Sequence, residues 1–221
     1  MGARPLLRIA AVAVVLSLAG ASPGRAQTPP PSEPSQTDIL NVYVGSQMYR
    51  DYLEKLFNLG EPPPLKRECP PLTLLENKYQ ILEAPTFVHD GLNYHIETGS
   101  WIALGVLRRC NERVVRRVLL TAQPGTNAFE ARLLLPGDFR GNPQLETEAL
   151  RLVMPNLMAK AQCTDRRETF ILDVKALDPP GPDGWSERWR VEACGTPVSA
   201  RVSYAKAVTG LNISVTEIEA R

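Results

Sequence analysis

Four cysteines, Cys69, Cys110, Cys163 and Cys194, with a tryptophan set at a fixed distance ahead of two of them, constrain this chain more than any other feature. Trp101 stands nine residues before Cys110 in "WIALGVLRRC", and Trp185 nine before Cys194 in "WSERWRVEAC". The correspondence runs past the cysteines, where Val114, Arg117 and Val118 take the offsets of Val198, Arg201 and Val202. Matches at a fixed offset read as an internal repeat, that is, two supersecondary units of one design. Pairing within each unit, Cys69 with Cys110 and Cys163 with Cys194, is then the most economical of the pairings open to four cysteines. Such bridges enclose 40 and 30 residues, and loops of that length stabilise by about 4 kcal/mol each on the chain-entropy model. No Cys-x-x-Cys pair is present, which argues against a thiol-redox site or a zinc knuckle.

Each unit has a helix ahead of its first cysteine. Ser46 caps a segment in which Tyr49, Leu53, Leu56 and Phe57 recur at helical spacing, and Gly60 stops it. In the second unit Asn142 caps, Pro143 suits the first turn, and Leu145, Ala149, Leu152 and Val153 form the apolar stripe, with Pro155 expected to end or kink the helix. Strands are expected over Leu72–Leu82 and Thr169–Ala176. Alternating strands close the units at Phe129, Ala131, Leu133 and Leu135 and at Leu211, Ile213 and Val215. The longer first loop leaves room for an extra hairpin around His89, Asp90 and Gly91. The fold class is therefore α+β, a duplicated, disulfide-stabilised helix-plus-antiparallel-sheet unit.

The ends of the chain suggest where such a fold would work. Residues 1–26 begin with Arg4 and Arg8, continue through an apolar run from Ile9 to Ala19, and close on the small-x-small sequence Gly24-Arg25-Ala26, a signal-peptide pattern. That run is shorter than the roughly 20 residues a membrane-spanning helix needs, and no comparable run follows, so no transmembrane segment is expected. Its removal leaves 195 residues with a formal charge of −2 in place of +1, a balance that argues against nucleic acid as a partner. Residues 27–37, with Pro29, Pro30, Pro31 and Pro34, read as a disordered tether. The first unit then covers 38–140 and the second 141–221, joined near Pro136–Gly141. Even cysteine usage with a signal sequence points to a periplasmic or secreted location.

Chemistry-bearing motifs are few. "GWSERWRVEACGT" places Trp185 and Trp189 on one strand face beside Cys194. These two and Trp101 are candidates for a ligand platform, set against the simpler reading that they fill the core. His89, His95 and Glu97 in "HDGLNYHIE" make a conceivable metal site without a recognised spacing. "RRCNERVVRRV" gathers Arg108, Arg109, Arg113, Arg116 and Arg117. Such guanidinium groups suit carboxylate or phosphate, so this end is the candidate surface for an anionic polymer or for another envelope or secreted protein. No nucleophile elbow or phosphate-binding loop is present and no cofactor is implied. The sequence thus favours an exported, non-catalytic interaction protein: a scaffold, an inhibitor or an accessory subunit of an envelope complex. The alternative is a small periplasmic hydrolase or ligand-binding protein with a pocket between the two units.

Overall fold

A computed structural model describes residues 34–89, 94–125, 128–179 and 181–220. The leader, most of the tether, and Asp90 and Gly91 lie outside the described residues. The first element, α1 (Gln36–Gly45), starts inside the stretch read as tether. Ser35 and Asp38 form a reciprocal capping box: the Asp38 backbone N–H donates to Ser35 Oγ, and the Ser35 N–H to Asp38 Oδ2, both at 3.2 Å. Two orphan donors are satisfied in that exchange, so the helix begins directly after Pro34. Ile39, Leu40 and Val44 are its buried face.

Ser46 caps α2 (Gln47–Gly60) through the Tyr49 N–H at 3.2 Å, and Tyr49, Leu53 and Phe57 are buried at helical spacing as expected. A short α3 (Pro63–Glu68) leads to Cys69. The chain then makes four antiparallel strands in sequential order, β1 (Thr73–His89), β2 (Tyr94–Arg109), β3 (Glu112–Gln123) and β4 (Ala128–Leu133). The hairpin expected around His89 is the far end of the β1–β2 pair itself: the additional residues lengthen both strands as far as the pair His89↔Tyr94. Register shifts between Ile81 and Phe87 bring Pro85 into β1, an edge strand, where a missing N–H breaks no ladder. Opposite it, Gly99 has φ +113°, and a Cβ there would lie 2.5 Å from Pro85 Cα, so the close approach requires glycine.

The second half has one α-helix followed by a four-stranded meander: α4 (Pro143–Lys160), β5 (Thr169–Ala176), β6 (Gly184–Ala193), β7 (Thr196–Lys206) and β8 (Leu211–Ala220). Asn142 Oδ1 caps α4 by accepting from the Leu145 N–H at 2.8 Å. The helix does not end at Pro155. Pro155 and Arg151, whose carbonyl loses its partner, both lie on the solvent side, where that carbonyl is not buried away from water. Leu152 is exposed as well, and the buried stripe runs through Ala149, Val153, Met154 and Leu157 instead.

Both disulfides close within their own half, Cys69–Cys110 and Cys163–Cys194. Cys110 and Cys194 each sit in the turn between the two central strands with φ near +50°. The central pairs share one register: ten unbroken pairs from Ser100↔Thr121 to Arg109↔Glu112 in β2/β3, and ten from Gly184↔Ala205 to Ala193↔Thr196 in β6/β7. Each sheet has its own core. Tyr49, Phe57, Trp101 and Leu120 fill the first; Phe139, Leu157, Trp189 and Tyr204 fill the second. The segment following β4 ties the sheets together, the Gly137 N–H donating to Val115 O at 2.9 Å and the Asp138 N–H to Val174 O at 2.7 Å. No helix among the described residues is long and apolar enough to cross a membrane.

Candidate functional site

The five arginines do not form one surface. Arg116 and Arg117 are neighbours on β3 and so point to opposite faces of the sheet, and both faces are covered there. Arg116 is 6% exposed and forks onto Glu61, at the end of α2, with contacts of 2.8–3.0 Å. Arg109 joins the same carboxylate at 3.3 Å. On the other face Arg117 enters the second half. Its guanidinium lies 5.6 Å from the Phe139 ring centre, donates to Gly141 O at 3.3 Å and approaches Glu146 of α4 at 3.9 Å. Only Arg108 and Arg113 remain on the surface, Arg113 with a 74% exposed side chain. Arg109, Arg116 and Arg117 are therefore engaged by carboxylates inside the fold, which leaves Arg108 and Arg113 as the exposed part of the arginine-rich end. Sequence alternation could not show this, because Glu61 and Glu146 come from elements far along the chain.

The tryptophans divide. Trp101 is fully buried, its indole N–H donating to the Tyr49 hydroxyl at 3.0 Å and its ring edge-on to Phe129. Trp189 is fully buried as well, edge-on to Phe139. Neither is available as a platform. Trp185 is half-buried, stacked on Tyr204 with ring centres 4.6 Å apart and planes 14° from parallel.

Between Trp185 and Trp189 on the same strand face lies Glu187, 0% exposed, which the alternation argument passes over. Glu187 Oε1 accepts from Trp185 Nε1 at 3.0 Å and from the Arg140 backbone N–H at 3.1 Å, while Oε2 accepts from Trp189 Nε1 at 3.1 Å. Three N–H donors compensate the buried carboxylate. Burial beside Glu187 drives the Tyr204 hydroxyl well above the ordinary tyrosine range, and its oxygen has no hydrogen-bond partner among the described residues. Burial also raises Glu146 above the usual glutamate value against the opposing pull of Arg117, and lowers Arg117 despite Glu146 and Glu187. Glu146 Oε2 and Arg117 Nη1 are both buried without a hydrogen bond, because 3.9 Å is too long for one.

The histidines do not assemble a metal site. His89 pairs with Tyr94, and its ring lies 4.7 Å from the Tyr94 ring centre. Residues paired across a ladder share a face, so His89 lies on the face opposite that of His95 and Glu97. No group of three metal-ligating side chains occurs among the described residues.

The openings among the described residues include a cleft, a groove and a shallow concavity. A cleft of about 500 Å³ runs between the halves past Glu61, Leu133, Leu135, Glu146 and Phe170; Trp101, Trp185 and the His89–Glu97 hairpin do not line it. A groove of about 360 Å³ at the free end of the first half lies between α1 and the ends of β1 and β2. Its walls are almost wholly apolar. Val42 is 76%, Met48 67% and Tyr94 44% exposed there, with Ile39, Tyr43 and Phe87 beneath. A shallower concavity of about 380 Å³ lies beside Trp185 at the start of α4. No family model, curated protein or solved structure matches this chain.

Proposed function

We propose that this chain is an exported, non-catalytic interaction protein, a scaffold, inhibitor or accessory subunit, built from two copies of one helix-plus-sheet unit. The shared ten-pair register, the turn half-cystines and the two self-contained bridges support duplication. The amino-terminal signal pattern and the pairing of all four cysteines support an oxidising periplasmic or extracellular setting. Glu61 and Glu187, two of the three glutamates buried among the described residues, are engaged in holding arginine and tryptophan side chains, which fits a structural rather than a chemical use.

One observation carries the interaction reading, the exposed apolar groove of α1 and the β1–β2 hairpin. Soluble proteins seldom leave aliphatic and aromatic side chains converging on one concavity without a partner. Among the described residues, the only charged side chain lining it is Asp38, which is bound to Ser35. The occupant is accordingly an uncharged apolar segment of another exported protein, not an anionic polymer, and its binding should be insensitive to salt. A photo-crosslinking residue in place of Val42, used in the exporting host, tests this. A defined adduct that survives high salt and is abolished by Met48→Glu, but not by Arg113→Glu, supports the groove. An adduct that disappears with salt or with Arg113→Glu refutes it.

A further inference from the structure

The concavity beside Trp185 is lined by Arg140, Asn142, Gln144, Glu148 and Leu211, and lies in the second half, so nothing about it depends on the groove of the first. Two of its walls are held by one buried atom. Glu187 Oε1 takes the Trp185 indole N–H and the Arg140 backbone N–H together, at 3.0 and 3.1 Å. Tyr204 supports the indole from beneath, stacked at 4.6 Å. The same carboxylate satisfies the fully buried Trp189 through Oε2, so the half-buried Trp185 ring is fixed by a group that the core itself holds in place. At the matching register position of the first half, Trp101 is instead sealed under Phe129.

We propose that this concavity is a saccharide-binding site with Trp185 as the stacking platform. The C–H face of a pyranose carries a weak positive charge that complements the negative face of an indole. Around the platform the polar groups are of both kinds. Arg140 and Asn142 supply donors, Glu148 supplies acceptors, and Gln144, which donates to Glu148 Oε1 at 3.3 Å, completes the rim. Hydroxyl groups donate and accept at once, so a mixed rim suits them, whereas a phosphate or carboxylate would meet the Glu148 charge. The open shape and the volume of about 380 Å³ fit one or two neutral sugar residues lying on the surface.

The test is a titration of the disulfide-intact chain with maltotriose, cellotriose and tri-N-acetylchitotriose, read by the three indole N–H resonances in NMR. At least one sugar should shift the Trp185 resonance at low-millimolar concentration and leave those of Trp101 and Trp189 in place. Trp185→Ala should weaken that affinity by about tenfold or more. Glu148→Ala, on the exposed side of α4, should weaken it severalfold and serves if the tryptophan variant fails to fold. The proposal is overturned by no shift with any of the three sugars or by binding retained in both variants. A response to inorganic phosphate or p-nitrophenol as large as to the sugars also overturns it, reassigning the site to an anion or a planar aromatic.

Discussion

Trp101 and Trp185 occupy the same position in two sheets of matching register, paired with Leu120 and Tyr204 respectively. In the first half two helices and Phe129 close over the indole, and its N–H is satisfied by a neutral phenol. In the second half one helix covers the sheet, the indole stays half open, and its N–H is satisfied by a buried carboxylate. Gly105 and Trp189 show the same trade from the other side. Phe57 of α2 fills the space above Gly105, whereas Trp189 fills its own. Two sheets of matching central register thus carry two distributions of bulk between helix and sheet. What differs is which half needs a buried charge to hold its aromatic residues.

The largest effect that tests this comparison comes from the bridges. Replacing Cys69 and Cys110, or Cys163 and Cys194, by serine should remove about 4 kcal/mol in either case. A single shifted transition in chemical denaturation would show that the halves unfold together; two separated transitions would make them independent. Next come the buried acids. Glu61→Ala leaves Arg116 without its partner and should cost about 3–5 kcal/mol. Glu187→Ala strips the acceptor from the buried Trp189 N–H, worth about 1–3 kcal/mol when unsatisfied, and from the part-buried Trp185 and Arg140 N–H groups, which cost less, and should redshift tryptophan emission, which Glu61→Ala should not do.

Gly105→Ala places a Cβ 2.6 Å from Phe57 Cε2 and should cost about 1–3 kcal/mol by overpacking. An unchanged melting temperature would show that Phe57 is freer than its burial implies. A smaller effect concerns Glu146. Its pKa is raised in the folded state, so the folded chain holds this proton to higher pH than the unfolded one. The contribution of this group to stability is therefore full below the ordinary glutamate value and is lost as pH rises through the raised one. Denaturation midpoints measured across that interval should decline with rising pH in the native sequence and decline less in Glu146→Gln. Smallest of all, Arg113→Glu on the exposed surface should change stability by no more than about 0.5 kcal/mol. The same reversal at Arg116 should unfold the first half.

Strands and capped helices were legible because their signals are local. Alternation marks the closing strands, Ser46 and Asn142 mark two helix starts, and the fixed Trp-to-Cys spacing points to the pairing. The start of α1 differs from the tether expected there: Ser35-x-x-Asp38 carries a capping signal, but the prolines before it dominate the composition of that stretch. Glu187 was legible in principle, since the alternation linking Trp185 to Trp189 passes through it. The burial of Arg116 and Arg117 was not, because their partners Glu61 and Glu146 meet them only through the tertiary packing of other elements. The groove of α1 was equally hidden, since its walls come from residues about 50 positions apart.

Each disulfide also spans the connection between the first two strands of its sheet, Cys69–Cys110 enclosing the link from His89 to Tyr94 and Cys163–Cys194 the link from Ala176 to Gly184. A protease that cuts either connection would produce two peptides on a reducing gel but one molecule on a non-reducing gel. In a compartment rich in proteases, such a chain can be nicked at both hairpin ends and still remain covalently whole.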